Sequence, residues 1–432
     1  MIEPQIPKGF RDFLPQQMML RRRLMATMSA IFERYGFVPL DTPCLEYART
    51  LEGKYGEEGD KLIYRFEDRG GRAVALRYDL TIPLARVAAM YQLPKPFKRY
   101  QIAPVWRADK PQKGRFREFY QCDIDIIGES GACADAELLC VAHAVLQALG
   151  FDNYLIRINN RKILNALAER LGIATERIPD FLRALDKLDK TGPDAVLQDM
   201  QARGLLAGDA GRIVRDHLLA GGDNFEAVAA LLAGSGDGSA GLAELELISR
   251  MLAADGVDGR YYKKDISLAR GLDYYTGPIF EVVVTEPRIG SILGGGRYDG
   301  LIGLFTKQSM PATGISFGLE RLVTVMEELG MHNQAGSLTQ VLVTQFSADL
   351  MDDGVRLAAL LRRSGLNTEL YLAPDKLKKQ LSYAASRGIP AVVVLGPDEA
   401  RDGRATLKNM LTGDQDVLEQ QRLAEAIRAL LA

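Results

Sequence analysis

The sequence predicts an α+β fold: an antiparallel sheet flanked by helices, a helical insertion, and a smaller C-terminal α/β module. Three observations predict it. Strand-like segments cluster between about 60 and 130 and return at 260–300. A stretch rich in Ala, Leu, Asp and Gly, residues 172–255, separates them and reads as short helices. After a polar linker at 331–339, short apolar runs alternate with helical periods, the pattern of a largely parallel sheet. A chain of 432 residues is long enough for two or three domains. The expected boundaries are 1–171 and 258–330 for the main domain, 172–257 for the insertion and 337–432 for the last module.

In chain order, Leu20, Leu24, Met28, Ile31 and Tyr35 recur at steps of three and four, so residues 16–35 form a helix with one apolar face. Gly36 stops it, and Phe37–Leu40 leaves in extended form toward Pro43. Leu62–Phe66 and Ala73–Tyr78 read as strands split by the turn Asp68-Arg69-Gly70-Gly71. Arg107 follows Val105-Trp106, Pro111–Gly114 is a loop tip, and Arg115–Gln121 alternates on the return, which predicts a hairpin. Residues 132–149 return to a helical period. The run Gly234–Gly241 contains a formal GxGxxG match, but no strand precedes it, so it reads as a flexible connection. A helix starts near Phe317. In the last module, Val341–Val343, Thr368–Leu372 and Ala391–Leu395 read as strands, with helices at 351–363 and 375–387.

Composition removes several function classes. Net charge is −2, so any contact with nucleic acid must come from local patches. Residues 337–432 carry equal numbers of basic and acidic side chains. The cluster Lys376-Leu377-Lys378-Lys379 fits a solvated face as well as it fits RNA phosphate. The opening Met1–Gln5 does not read as a signal peptide, and no stretch of about 18 apolar residues is present. Cys44, Cys122, Cys133 and Cys140 form no CxxC pair and read as free thiols of a reducing cytosol. His143, His217 and His332 are not spaced as metal ligands, which weakens zinc-hydrolase and Ser-His-Asp readings.

The chemistry-bearing residues are arginines. Arg107, Arg115, Arg270 and Arg321 are interleaved with Gly, Tyr and Phe. Planar, multidentate guanidinium groups suit phosphate oxygens. No Walker loop occurs, so phosphate binding must rest on arginines projecting from a sheet.

These segments resemble the class II aminoacyl-tRNA synthetases, and specifically the histidyl-tRNA synthetase family. Residues 20–43 with Pro43, the hairpin led by Arg107, and Gly314–Arg321 match the three class motifs. Arg270-Gly271-Leu272-Asp273-Tyr274-Tyr275 and Gly294–Leu301 match runs particular to that family, and Pro7–Asp12 also fits. The resemblance runs nearly end to end. It implies a ligase that activates L-histidine with ATP and Mg2+ and transfers it to tRNA(His), working as a cytoplasmic homodimer away from membranes. Its C-terminal module would bind the anticodon.

Carried over by position, the resemblance implies that Arg107 and Arg270 are catalytic. Arg107 would hold the ATP α-phosphate and the substrate carboxylate, and Arg270 the α-phosphate. Arg115 and Arg321 would also hold ATP, Arg321 at the γ-phosphate, and Phe119 would stack on adenine. Asp79, Leu80 and Thr81 with Gln121 would form the ammonium site. Asp125, Tyr274 and Tyr275 would line the imidazole pocket. In a regular strand the two tyrosines would face opposite sides. Metal ligands stay open. Arg77–Thr81 resembles the eukaryotic form, whereas Pro111–Gly114 has the short bacterial form. A paralogue without ligase activity, such as an ATP phosphoribosyltransferase regulatory subunit, is the alternative. It would lack the C-terminal module.

Overall fold

The computed structural model describes residues 2–112, 114–219, 225–269, 274–287, 289–331 and 337–431. The chain divides into two compact units, Met1–Met331 and His332–Ala432.

The first unit is built on an eight-stranded sheet. Its strands are β1 (Val38–Pro39), β5 (Phe97–Trp106), β6 (Glu118–Ile127), β7 (Tyr154–Asn160), β8 (Tyr262–Lys264), β9 (Pro278–Val284), β10 (Ser291–Arg297) and β11 (Ala312–Gly318). Their order is β1-β5-β6-β11-β10-β9-β7-β8. The six inner strands are antiparallel, and only the two edges pair in parallel, β1 with β5 and β7 with β8. A small antiparallel sheet, β2 (Leu45–Tyr47), β3 (Arg65–Glu67) and β4 (Ala73–Leu76), has the order β2-β4-β3.

One face of the large sheet is covered by helices. Leu24, Met28, Ile31 and Phe32 of the Pro15–Arg34 helix are buried in one core with Leu138, Leu139, Val141 and Val145 of Ala132–Ala148. Ile124 and Ile126 point into that core from β6. Because side chains alternate along a strand, Gln121, Asp123 and Asp125 must face the other side. That alternation turns a row of polar groups away from the helices and creates the site.

Two expectations are corrected here. The stretch from 60 to 130 is not all strand: Thr81–Met90 is a helix, with Ile82, Pro83, Leu84, Ala85, Val87 and Ala88 all buried. A helix buried nearly all round has no polar stripe, so its period is hidden. The glycine run is not a loose connection either, since Gly236–Ala254 is a helix. Ser235 caps it, its side chain accepting from the Gly238 amide. A methyl group on Gly241 would meet Ile163 Cγ1 at 2.8 Å, so the glycine lets this helix press against Arg161–Arg170.

In the second unit, β12 (Val341–Val343), β13 (Thr368–Leu370), β14 (Ala391–Val394), β15 (Arg404–Asn409) and β16 (Gln415–Glu419) form a sheet of order β13-β12-β14-β15-β16. The three parallel strands match the expectation, with helices at Met351–Arg363 and Leu377–Ser386. The β15–β16 hairpin extends the sheet antiparallel and was not anticipated. No helix among the described residues is long and apolar enough to cross a membrane.

Candidate active site

Strand register builds the floor of the site. Asp123 pairs with Gln101 of β5 on one side and Ser316 of β11 on the other. Asp125 pairs with Arg99 and Gly314, and Gln121 with Ala103 and Gly318. Next in the sheet, Gly294 and Gly296 of β10 pair with Ser316 and Gly314. Glycines therefore stand beside the carboxylates, and the absent side chains leave a hollow.

That hollow is a cavity of about 80 Å³. Asp79, Thr81, Arg107, Gln121, Asp125, Tyr274 and Tyr275, all expected from the sequence, line it together. Asp123, Tyr298 and Ser316 line it too and were missed. Asp123 was findable, since it shares strand parity with Gln121 and Asp125. Leu80 differs: its side chain is fully buried and packs with Ala103, Val105 and Phe119 instead of lining the cavity. Residues 274–277 are not a strand, and the chain turns there, so both tyrosines reach the same cavity. Their rings meet edge to face at 5.1 Å, and Tyr274 meets Tyr298 similarly at 5.9 Å. The expected residues Arg270 to Asp273 lie outside the described residues.

Several of these polar groups are held in place by neighbours. Asp79 Oδ1 accepts from the Tyr55 hydroxyl at 3.0 Å and the Ile82 amide at 3.1 Å. Gln121 Nε2 donates to Ser316 Oγ at 2.7 Å, and the Tyr298 hydroxyl donates to Asp125 Oδ1. Arg107 Nε donates to the Tyr78 carbonyl at 3.0 Å. Its guanidinium sits 4.3 Å from the centre of the Tyr78 ring and 5.1 Å from that of Phe119. Asp79 Oδ2, Gln121 Oε1 and Asp123 Oδ1 are buried acceptors with no hydrogen-bond donor among the described residues. Burial pushes the Asp79, Asp123 and Asp125 carboxyls above their usual range, Asp123 to about 7. For Asp123 and Asp125, the nearby Arg99 opposes the rise.

A second cavity, of about 550 Å³, is lined by Gln112, Arg115, Glu281, Ser291 and Arg321 among others. Arg321 is steadied by donating to the Ser291 carbonyl. Its neighbour Glu320 is buried and accepts from Arg21 at 3.0 Å and from the Tyr120 amide at 3.0 Å. The N-terminal segment braces the hairpin that carries Arg115. The Arg117 amide donates to the Gly9 carbonyl at 2.9 Å, and the Arg11 guanidinium lies 3.2 Å from the centre of the Phe116 ring.

Among the described residues, no group of three or more His, Cys, Asp or Glu side chains is placed to hold a metal ion. His143 makes an ordinary structural contact, its Nδ1 2.6 Å from the Tyr154 hydroxyl.

Comparison with known proteins gives one answer along the chain. A histidyl-tRNA synthetase family model matches residues 9–322, and an anticodon binding domain model matches 340–430. The chain belongs to the histidyl-tRNA synthetase family. The histidine–tRNA ligase of Rhodopirellula baltica is 45% identical over 99% of each chain. That of Aeropyrum pernix is 42% identical over 99% of this chain and 98% of its own. The crystal structure of histidyl-tRNA synthetase from Nostoc sp. PCC 7120 superposes with a TM-score of 0.88 at 31% identity, covering 99% of this chain and all of that one. A histidyl-tRNA synthetase or ATP phosphoribosyltransferase regulatory subunit from Bacillus halodurans shares the fold, with a TM-score of 0.77 at 23% identity. The likeness to the curated histidine–tRNA ligases extends over the second unit as well.

Proposed function

We propose that the chain is a histidine–tRNA ligase that forms histidyl-adenylate from L-histidine and ATP, then passes the histidyl group to tRNA(His). The observation that carries this reading is the set of undonated acceptors in the small cavity. Asp79 Oδ2, Gln121 Oε1 and Asp123 Oδ1 are buried and want donors. A free amino acid brings an ammonium group, and an imidazole brings a further N–H.

In this reading Asp79, Thr81 and Gln121 receive the ammonium, while Asp125, Tyr274 and Tyr275 receive the imidazole. A site whose buried polar groups match both ring nitrogens rejects analogues that lack them, by roughly 10⁴-fold. Arg107 lines the small cavity, its guanidinium 5.1 Å from the centre of the Phe119 ring, and this reading gives Phe119 the adenine. Arg115 and Arg321 line the large cavity and meet the outer phosphates. Arg270 is assigned to the α-phosphate from the family pattern.

A histidine carboxylate oxygen attacks the α-phosphorus, and the bond to pyrophosphate breaks. Negative charge grows on phosphate oxygens, where preorganised arginines stabilise the transition state. A ribose hydroxyl at the 3′ end of tRNA then attacks the acyl carbon, loses its proton, and AMP departs. Histidine supplies its own ionised nucleophile, so no protein nucleophile is required. Mg2+ bound with ATP needs only one or two protein carboxylates. Of the two carboxylates that line the large cavity, Asp186 and Glu281, this reading gives that role to Glu281, which also pairs with Arg157. Bound there, the ion would add positive charge at the phosphates.

Residues 1–171 and 258–330 carry catalysis, 172–257 form the helical insertion, and 337–432 bind the anticodon. The exposed apolar side chains Val38, Leu45, Tyr47, Phe66, Met90 and Tyr91 support pairing of two copies. The cytosol is the compartment where the substrates meet. ATP–pyrophosphate exchange measured with each amino acid tests the proposal. Exchange with histidine alone is expected; exchange with another amino acid, or none, overturns it.

A further inference from the structure

Arg99 is the least exposed cation near the site, at 0%. It projects from β5 and faces Asp125 across the β5–β6 ladder. Its Nη2 lies 2.7 Å from Asp125 Oδ2 and 3.3 Å from the Leu80 carbonyl, to which it donates. Leu80 stands between Asp79 and Thr81, which this reading assigns to the ammonium. Asp125 is assigned to the imidazole. One guanidinium therefore contacts Asp125, which lines the cavity, and the backbone between Asp79 and Thr81, which line it as well.

The core does not need this cation. Burying a guanidinium is costly, and an apolar residue of similar volume often serves stability as well or better. Arg99 Nε and Nη1 have no hydrogen-bond partner among the described residues, so the placement is not explained by satisfied hydrogen bonds either. What the guanidinium does supply is charge and spacing at the carboxylates.

We infer that Arg99 is a positioning residue for amino-acid specificity: its guanidinium ties the Asp125 carboxylate to the Leu80 carbonyl, fixing the distance between the ammonium and imidazole ends of the cavity. The inference rests on the reading that this cavity takes histidine. A neutral imidazole offers one N–H and one lone pair, and a charged Asp125 is a pure acceptor for that N–H. The other groups around Asp125 come from several elements: Asp123 on β6, Asp79 after β4, Tyr298 after β10, Tyr275 at the turn, and Arg107 after β5. The Tyr298 hydroxyl already donates to the second Asp125 oxygen and holds its orientation. Arg99 lowers the proton affinity of both Asp123 and Asp125 against the effect of burial. Without it, both carboxyls take up protons at higher pH.

The test compares wild type, Arg99→Leu and Arg99→Lys in ATP–pyrophosphate exchange, with KM for histidine and for ATP taken from about pH 6 to about pH 9. Arg99→Leu is expected to raise KM for histidine about 30-fold or more and leave KM for ATP unchanged. It should also move the acid limb of kcat/KM for histidine up by about one pH unit. Taking each variant as a ratio to wild type cancels the titration of free histidine. Arg99→Lys restores the charge, so the limb returns. It lacks the planar fork, so part of the KM defect stays. The inference is overturned if Arg99→Leu binds histidine as wild type does, or if both KM values rise together with the limb unmoved. Should the leucine variant not fold, the lysine variant decides, and a wild-type KM for histidine overturns the spacing role. If wild type itself fails to exchange with histidine, the reading of the cavity is wrong, which is a separate outcome.

Discussion

Gly314 lies directly across from Asp125 in the β6–β11 ladder, and a methyl group placed on it would stand 1.9 Å from Asp125 Oδ1. The carboxylate rests where a side chain would be. It is this vacancy that lets Asp125 reach both Arg99 and Tyr298.

Gly314→Ala should therefore displace Asp125 while the backbone, which has no left-handed angle at this position, stays in place. A displacement near an ångström is enough to cost about 100-fold in rate. The expected outcome is a fall of that order in kcat/KM for histidine in pyrophosphate exchange, with KM for ATP close to wild type. Unchanged histidine kinetics would mean that Asp125 is not where the substrate binds.

Asp123 gives a prediction about pH. Burial raises its folded pKa from 3.8 to about 7. A raised carboxyl pKa means that the folded state holds a proton the unfolded state has released. Stability from this group is thus present at low pH and declines as pH rises from about 4 to about 7. Asp123→Asn removes that dependence. Its Tm relative to wild type should be higher above pH 7 than at pH 5, read by thermal unfolding across that range. A pH-independent difference would place a charged Asp123 in the folded protein.

Parts of the site were legible in the sequence and parts were not, for physical reasons. Gln121 and Asp125 share a strand face, so their joint appearance in the cavity follows from a period of two. Arg99 comes from the neighbouring strand, and its partner is fixed by register, which a single sequence does not display. Both tyrosines are expected at the imidazole pocket, which a regular strand would not allow; a turn at 274–277 is what puts both at the cavity. The Gly236–Ala254 helix was hidden by its glycines, which are poor helix formers. Gly241 is there because Ile163 leaves no room for more, and that demand is tertiary.

Glu320 ties three elements together: it accepts from Arg21 in the Pro15–Arg34 helix and from the Tyr120 amide in β6, and it starts the Leu319–Glu328 helix beside Arg321. Removing one partner of a buried ion pair leaves the other charge uncompensated. Glu320→Ala should cost about 3–5 kcal/mol of unfolding free energy, measured by denaturant titration. A loss below about 1 kcal/mol would mean that the pair is solvated as surface pairs are.

The two compact units give the last prediction. Both cavities belong to Met1–Met331, and the second unit has its own apolar core around Val341, Val343, Leu357, Leu361 and Val393. On the proposed reading, adenylate formation needs only groups of the first unit. Charging also needs a tRNA held in place, and a second contact far from the acceptor end raises affinity through effective concentration. Removing residues 337–432 should leave histidine-dependent pyrophosphate exchange within a few-fold of wild type. Transfer to tRNA should fall by about 100-fold or more at limiting tRNA. The two assays run on one preparation separate the steps. Equal loss in both would show that the second unit supports the first unit's fold or its pairing, and the anticodon role would then have no functional support.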